Sequence, residues 1–278
     1  MILSNFLLGE KCIMNKRVEI ILFLVYSFGI SFICICLMKG IAKYDIYGVI
    51  TLILYGIEGA TPSLAAIIVL LQKYGISGTK HFVKSKFVDG FNIKICVIGF
   101  CVPALVLTVG KLLTYITPYH NEFITCISPK KLIVVMWALI AEELGWRGYL
   151  QDKLEDKFGK NFTPLILGII WVAWHFHFFI SGSMEVPIIL FAYDCIAESY
   201  GYFVITKIAK GNIIPASLWH FSGNLFFNLY RINPNWNNGR IEPYLIISSI
   251  YFLYFIVFFY YVNYKKISSF RENEKKDN

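Results

Sequence analysis

Long apolar runs, separated by short polar stretches that carry most of the lysines, set the pattern of this chain. A transmembrane helix needs about 20 mainly apolar residues, within a range of roughly 17–25. Seven segments meet that requirement directly: Val18–Met38, Tyr47–Leu71, Ile93–Thr117, Phe162–Ile180, Val186–Val204, Ile213–Tyr230 and Pro243–Tyr264. The run that starts at Leu132 behaves differently. It reads LIVVMWALIA and then meets Glu142, Glu143 and Arg147 within six residues. An ionised side chain at bilayer depth costs roughly 2.5–3.5 kcal/mol on insertion scales, so such residues face protein or a wet cavity and mark functional sites. With Leu132–Leu150 counted on those terms, the pattern predicts an all-α, polytopic membrane protein of about eight transmembrane helices.

Charge supports the eighth span. With the N-terminus inside, eighteen of the 26 Lys and Arg residues fall in cytoplasmic segments and six in outer loops, while Lys111 and Arg147 lie within spans. That bias follows the positive-inside rule, and omitting the fourth span would break the alternation. The net charge of +8 therefore reads as an orientation device, and no nucleic-acid partner is implied. The expected layout is a cytoplasmic N-terminal segment (1–17), a membrane domain (18–264) and a polar cytoplasmic tail (265–278) in a multi-pass protein of the cell membrane. The first apolar run is too long for a signal-peptide core and lacks a small-residue cleavage pattern, which predicts an uncleaved first span. Composition agrees: 57% of residues are hydrophobic and 16% charged, against about a quarter charged in soluble domains. The seven cysteines form no CxxC pair and read as small apolar residues, with no disulfide framework or zinc knuckle.

The later spans carry further polar residues: His175, His177, Asp194, Glu198, His220 and Asn224. On a regular helix Glu143 and Arg147, four apart, share a face with the acid first, the favourable order for an ion pair. Glu142 points about 100° away and is left for chemistry. His220 and Asn224 also share a face, whereas His175 and His177 point in nearly opposite directions. Spans four, five and seven would then frame a cytoplasm-accessible, water-filled pocket.

Such a set suits peptide hydrolysis. A glutamate can act as general base on a water, a histidine can share the task, and His or Asn donors can stabilise the oxyanion. The same atoms have a second reading, because one carboxylate and two imidazoles are the ligand count of a hydrolytic zinc site. That divalent metal would be held by Glu142, His175 and His220; no other cofactor is expected. The chain has no HExxH helix, no Gly-x-Gly-Asp partner for Tyr193-Asp194 and no Gly-x-Ser-Gly turn beside His220.

Three motifs in order resemble the CPBP (Abi) family of intramembrane proteases, which includes the CAAX prenyl endopeptidases: Glu142-Glu143-x-x-x-Arg147, Trp171-x-x-x-His175 and His220-x-x-x-Asn224. The resemblance covers about residues 130–230. The second motif usually opens with Phe, where this chain has Trp171. The resemblance implies an intramembrane endopeptidase acting on a membrane-associated or lipid-modified peptide. Glu142 and His175 would activate water, His220 and Asn224 would form the oxyanion site, and Glu143 and Arg147 would orient the set. Against it stand a non-catalytic binding or bacteriocin-immunity protein of the same fold, in which the motif residues only tie helices together, and a transporter using Asp194 and Glu198 as cation sites.

Overall fold

In the computed structural model, residues 14–260 are described apart from 42–43, 45–47, 119–121, 181–183, 185, 254–255 and 258–259. The first thirteen residues, the end of the last expected span and the polar tail lie outside the described residues. Everything described is helix or connecting loop, so the all-α expectation holds. In order come α1 (Lys16–Ile41), α2 (Val49–Gly59), α3 (Thr61–Val88), α4 (Ile93–Tyr115), α5 (Pro129–Ala141), a π-helical segment (Leu144–Leu150), α6 (Gln151–Trp174), α7 (Phe176–Ile180), α8 (Ile188–Ile208), α9 (Ile214–Leu229), a short 3-10 turn (Pro234–Trp236) and α10 (Glu242–Leu253).

Local sequence sets the boundaries. Asn92 opens α4 by accepting hydrogen bonds from the backbone N–H groups of Lys94 and Ile95, and Ser128 opens α5 by accepting from that of Lys131, with Pro129 in the first turn. Serine and asparagine satisfy amides there that have no partner within the helix. Between α2 and α3 the chain bends by 58° at Ala60, where the Thr61 hydroxyl donates to the Glu58 carbonyl and Pro62 starts the new helix. Gly159 (φ 74°, ψ 166°) breaks α6 in a backbone region that other residues rarely enter.

Among the described residues, four helical stretches are long and apolar enough to cross a membrane, or five with the bent α2–α3 pair counted once. The figure of eight is not recovered by length and apolarity alone. Pro129–Ile180 counts as one stretch although the Gly159 break divides it where the sequence reading separates spans four and five. α9 has only 16 residues, and the segment expected from Pro243 to Tyr264 runs past the described residues.

The two ends of the bundle differ in composition. At one end Lys86 meets Asp152 at 2.7 Å, Lys207 meets Glu155, and Glu19 receives Lys73 at 2.6 Å and Lys153 at 2.5 Å. These contacts join the start of α1, the end of α3, the start of α6 and the end of α8. At the other end Lys131 sits 4.5 Å above the Trp236 ring, and the Thr125 N–H donates to the Leu229 carbonyl at the foot of α9. The core between them is aromatic: Phe23 stacks on Tyr149 and meets Trp146 edge-on, and Trp146 meets Trp174.

Candidate active site

Glu142 stands where α5 ends. Its backbone (φ −111°, ψ −37°) caps the helix, and its carbonyl accepts from the N–H groups of both Gly145 and Trp146 as the chain passes into the π-helical segment. That junction is pressed against the first turn of α3. The Gly145 N–H also approaches the Ser63 hydroxyl at 3.3 Å, and a Cβ on Gly145 would collide with the Pro62 backbone. π-helical interruptions of this kind recur at functional sites. The regular helix assumed from the sequence is thus broken between the motif residues. The two glutamates still diverge, but through this break, not through helical phase.

The Glu142 carboxylate is held on one oxygen only. Oε2 accepts from the indole N–H groups of Trp146 and Trp171, each at 3.2 Å, and Oε1 faces His220 Nε2 at 4.0 Å. On its other side the His220 ring donates through Nδ1 to Glu143 Oε1 at 2.8 Å. Glu143 is fully buried and faces Arg147, with Nε at 3.4 Å from Oε2 and a guanidinium nitrogen at 3.5 Å from Oε1. These distances are long for an ion pair. The guanidinium is also packed between aromatic rings, 3.9 Å from the Tyr202 centroid and 4.8 Å from that of Trp171. An unbroken line therefore runs from Arg147 through Glu143 and His220 to Glu142.

A cavity of about 480 Å³ takes in Glu142, His175, His220 and Asn224 on its wall. Glu143 and Arg147 lie behind that wall. His175 Nδ1 is 2.8 Å from the Trp171 carbonyl, which only accepts, so this nitrogen carries the proton and the neutral ring keeps a lone pair on Nε2. His177 turns elsewhere, with Nδ1 near the Trp174 carbonyl and Nε2 at 3.5 Å from Glu58. The six motif residues and the cavity thus occupy one region. Among the described residues no group of three or more His, Cys, Asp or Glu side chains is arranged to hold a metal ion.

Two features depart from the sequence reading. The first is access. The lining extends to Lys131, Asn233 and Trp236, at the end away from the Lys86 and Lys207 clusters. A pocket open to the basic, cytoplasm-assigned end was expected; the polypeptide between Glu142 and that end is packed solid with Trp146, Arg147, Leu150 and Trp219. The second is the set of walls. Besides spans four, five and seven, the α2–α3 pair contributes Tyr55 and Glu58, and α8 contributes Asp194, Glu198 and Tyr202. Asp194 accepts from the Ser248 hydroxyl of α10 at 2.8 Å. Glu58, 1% exposed, accepts from Ser31 of α1 at 2.7 Å. Sequence reasoning missed Glu58, although an acid inside the apolar run Tyr47–Leu71 is the same signal that exposed Glu142. It also noted Trp171 in place of Phe without drawing on the indole N–H, a donor that a phenyl ring lacks.

Comparison with known proteins falls on this same region. Residues 123–226 match the family model described as "Type II CAAX prenyl endopeptidase Rce1-like". A protein of Methanococcus maripaludis named "CAAX prenyl protease 2" is 30% identical over 110 residues, covering 34% of this chain and 38% of that protein. The match thus spans little more than a third of the relative's length. The motif-bearing segment 123–226, with Glu142, His175, His220 and Asn224 on one cavity wall, is thus the part of the chain that is similar to CAAX-type proteases.

Proposed function

We propose that the chain is an intramembrane endopeptidase that hydrolyses a peptide bond of a membrane-associated substrate, with water activated by Glu142. The observation that carries this reading is the divided Glu142 carboxylate: Oε2 is fixed by two indole N–H groups while Oε1 faces His220 across 4.0 Å. A base needs a fixed position and an uncommitted lone pair directed at its proton. Glu142 Oε1 takes a proton from water, with His175 Nε2 as a second acceptor, and the resulting hydroxide adds to the scissile carbonyl carbon. His220 Nε2–H and the Asn224 amide donate to the oxyanion. In this role His220 is protonated on both nitrogens, with Glu143 as its counter-ion. The proton held by Glu142 passes to the leaving amine as the C–N bond breaks.

Glu143 and Arg147 position His220 and do not touch substrate. A carboxylate on the far nitrogen of an imidazole fixes ring orientation in the same way in other hydrolytic sites. The mechanism runs without a metal, so treatment with a chelator should leave activity in place. The central test compares peptide profiles of membranes carrying the wild-type chain and Glu142→Gln, which keeps shape and removes the base. Products present only with wild type are expected, with a loss of about 10²–10⁴-fold, the usual worth of a general base. Equal product levels at equal expression would overturn the proteolytic reading in favour of a binding or immunity role.

A further inference from the structure

His175, like Glu142, stands at a break in regular helix. α6 ends at Trp174, His175 caps it (φ −78°, ψ −3°), and the five-residue helix α7 starts at Phe176. A side chain at such a break is placed by its neighbours as much as by its own helix.

The neighbours on both sides of His175 are tied to one place, the bend between α2 and α3. The Trp174 indole N–H donates to the Thr61 hydroxyl at 3.1 Å, and that hydroxyl donates to the Glu58 carbonyl at 2.8 Å. On the other side, His177 Nδ1 lies 3.0 Å from the Trp174 carbonyl, which only accepts, so this nitrogen carries the proton. His177 Nε2 faces Glu58 Oε1 across 3.5 Å, and the Ser31 hydroxyl of α1 donates to that same oxygen at 2.7 Å. An imidazole lone pair and a carboxylate repel, and an unpaired carboxylate 1% exposed in an apolar run is costly; one proton shared by Glu58 and His177 removes both costs. The His175 ring itself packs edge-on to Trp174, with 4.8 Å between centroids, and lies 5.8 Å from Phe178.

The same bend reaches Glu142, because Pro62 and Ser63 press on Gly145 where the π-helical segment begins. Residues 58–63 thus touch both breaks. They lie outside the segment 123–226 that matches the family model.

We propose that the α2–α3 bend sets the spacing between Glu142 and His175, with Thr61 and Glu58 as positioning residues that act on His175 through Trp174 and His177. The consequence for rate rests on the endopeptidase reading above; the placement of His175 does not. Supporting partners of reacting groups contribute about 10–100-fold in activity, and a misplacement of about 1 Å can cost as much.

The test pairs a disrupting and a conservative variant at each position. Thr61→Val keeps the shape and removes the hydroxyl, which Thr61→Ser retains. Glu58→Leu removes the polar group, whereas in Glu58→Gln an amide nitrogen at the Oε1 position donates to both His177 Nε2 and Ser31 Oγ. Each full-length variant is purified in detergent, and carbethoxylation of His175 by diethyl pyrocarbonate is read by mass spectrometry against the exposed His81. Thr61→Val and Glu58→Leu should change the His175 rate at least threefold with His220 within twofold of wild type, and Thr61→Ser and Glu58→Gln should restore it. The two positions are independent, so loss of folding at one leaves the other decisive. With a synthetic peptide copied from a product made only by the wild-type chain, kcat should fall about tenfold in both disrupting variants, with KM within twofold. Thr61→Val should cost nothing further in a His175→Ala background. An unchanged His175 rate in both disrupting variants would overturn the proposal, as would a further tenfold loss on the His175→Ala background. Glu58→Gln as damaging as Glu58→Leu would mean that Glu58 meets the substrate itself and would overturn its positioning role. Undiminished products with Glu142→Gln would remove the endopeptidase reading, and the labelling alone then decides the placement of His175.

Discussion

The charges at the basic end and the charges around the cavity are arranged in opposite ways. At the basic end oppositely charged groups close on each other: Lys73 and Lys153 reach Glu19 at 2.6 and 2.5 Å, and Lys86 reaches Asp152 at 2.7 Å. Around the cavity one contact is close, His220 to Glu143 at 2.8 Å, and the others are held apart, with 3.4 Å between Arg147 and Glu143 and 4.0 Å between His220 and Glu142. The separation is enforced by aromatic packing: the guanidinium lies on Tyr202 and Trp171, and two indoles clamp Glu142. Charges that neutralise one another directly fasten helix ends. Charges kept short of contact retain lone pairs and protons for a reacting molecule.

The contrast is broken most severely by removing the buried cation. Arg147→Met leaves the fully buried Glu143 with His220 as its one remaining charged partner, and breaking one side of a buried pair costs about 3–5 kcal/mol. Thermal unfolding in detergent should fall sharply, with activity lost as well. Glu143→Gln in addition should restore part of the stability, because no uncompensated charge is then buried, but it should not restore activity, because His220 loses its orienting carboxylate. If the single variant unfolded like wild type, Arg147 would be neutralised elsewhere and the line from Arg147 to Glu142 would carry nothing.

A smaller effect sharpens the role of the indoles. Trp171→Phe keeps an aromatic ring under Arg147 and removes one of the two donors to Glu142 Oε2. A hydrogen bond to a charged group contributes about 1.5–3 kcal/mol, so the rate of peptide hydrolysis should drop roughly 10–100-fold with little change in unfolding temperature. Trp146 still holds the carboxylate, so the loss should be less than for Glu142→Gln. An unchanged rate would mean that packing alone positions the base.

Much of this was legible beforehand, for a reason tied to the solvent. In an apolar run each charged residue stands out, and the order Glu142-Glu143, His175, His220 and Asn224 survives folding because each motif is short enough to lie within one or two helical turns. What the sequence hid were effects that depend on backbone breaks and on neighbours distant along the chain. The π-helical segment after Glu142 follows from contact with Pro62 and Ser63, which no local spacing announces. The shape of the cavity depends on α2 and α8 coming together with α5, so the walls that Tyr55, Asp194 and Tyr202 supply could not be read from the motifs. The division between spans four and five was legible, since the polar stretch between Leu150 and Phe162 contains Gly159, where the backbone breaks.

The mildest perturbation belongs to the basic end. Lys207 is 42% exposed and meets Glu155, and lies 3.9 Å from Asp152, which keeps Lys86 as its partner when Lys207 is removed. Exposed pairs of this kind contribute about 0.2–1 kcal/mol, since water screens the attraction and two flexible side chains must be ordered. Lys207→Ala should therefore shift unfolding only slightly and leave the hydrolysis rate within about twofold of wild type, with the shift shrinking further in high salt. The packed layer of Trp146, Leu150 and Trp219 between this end and the cavity is the physical reason for the insulation. A rate change of tenfold or more would show that the fastening charges reach through that layer to His220, and the division between the two ends would fail.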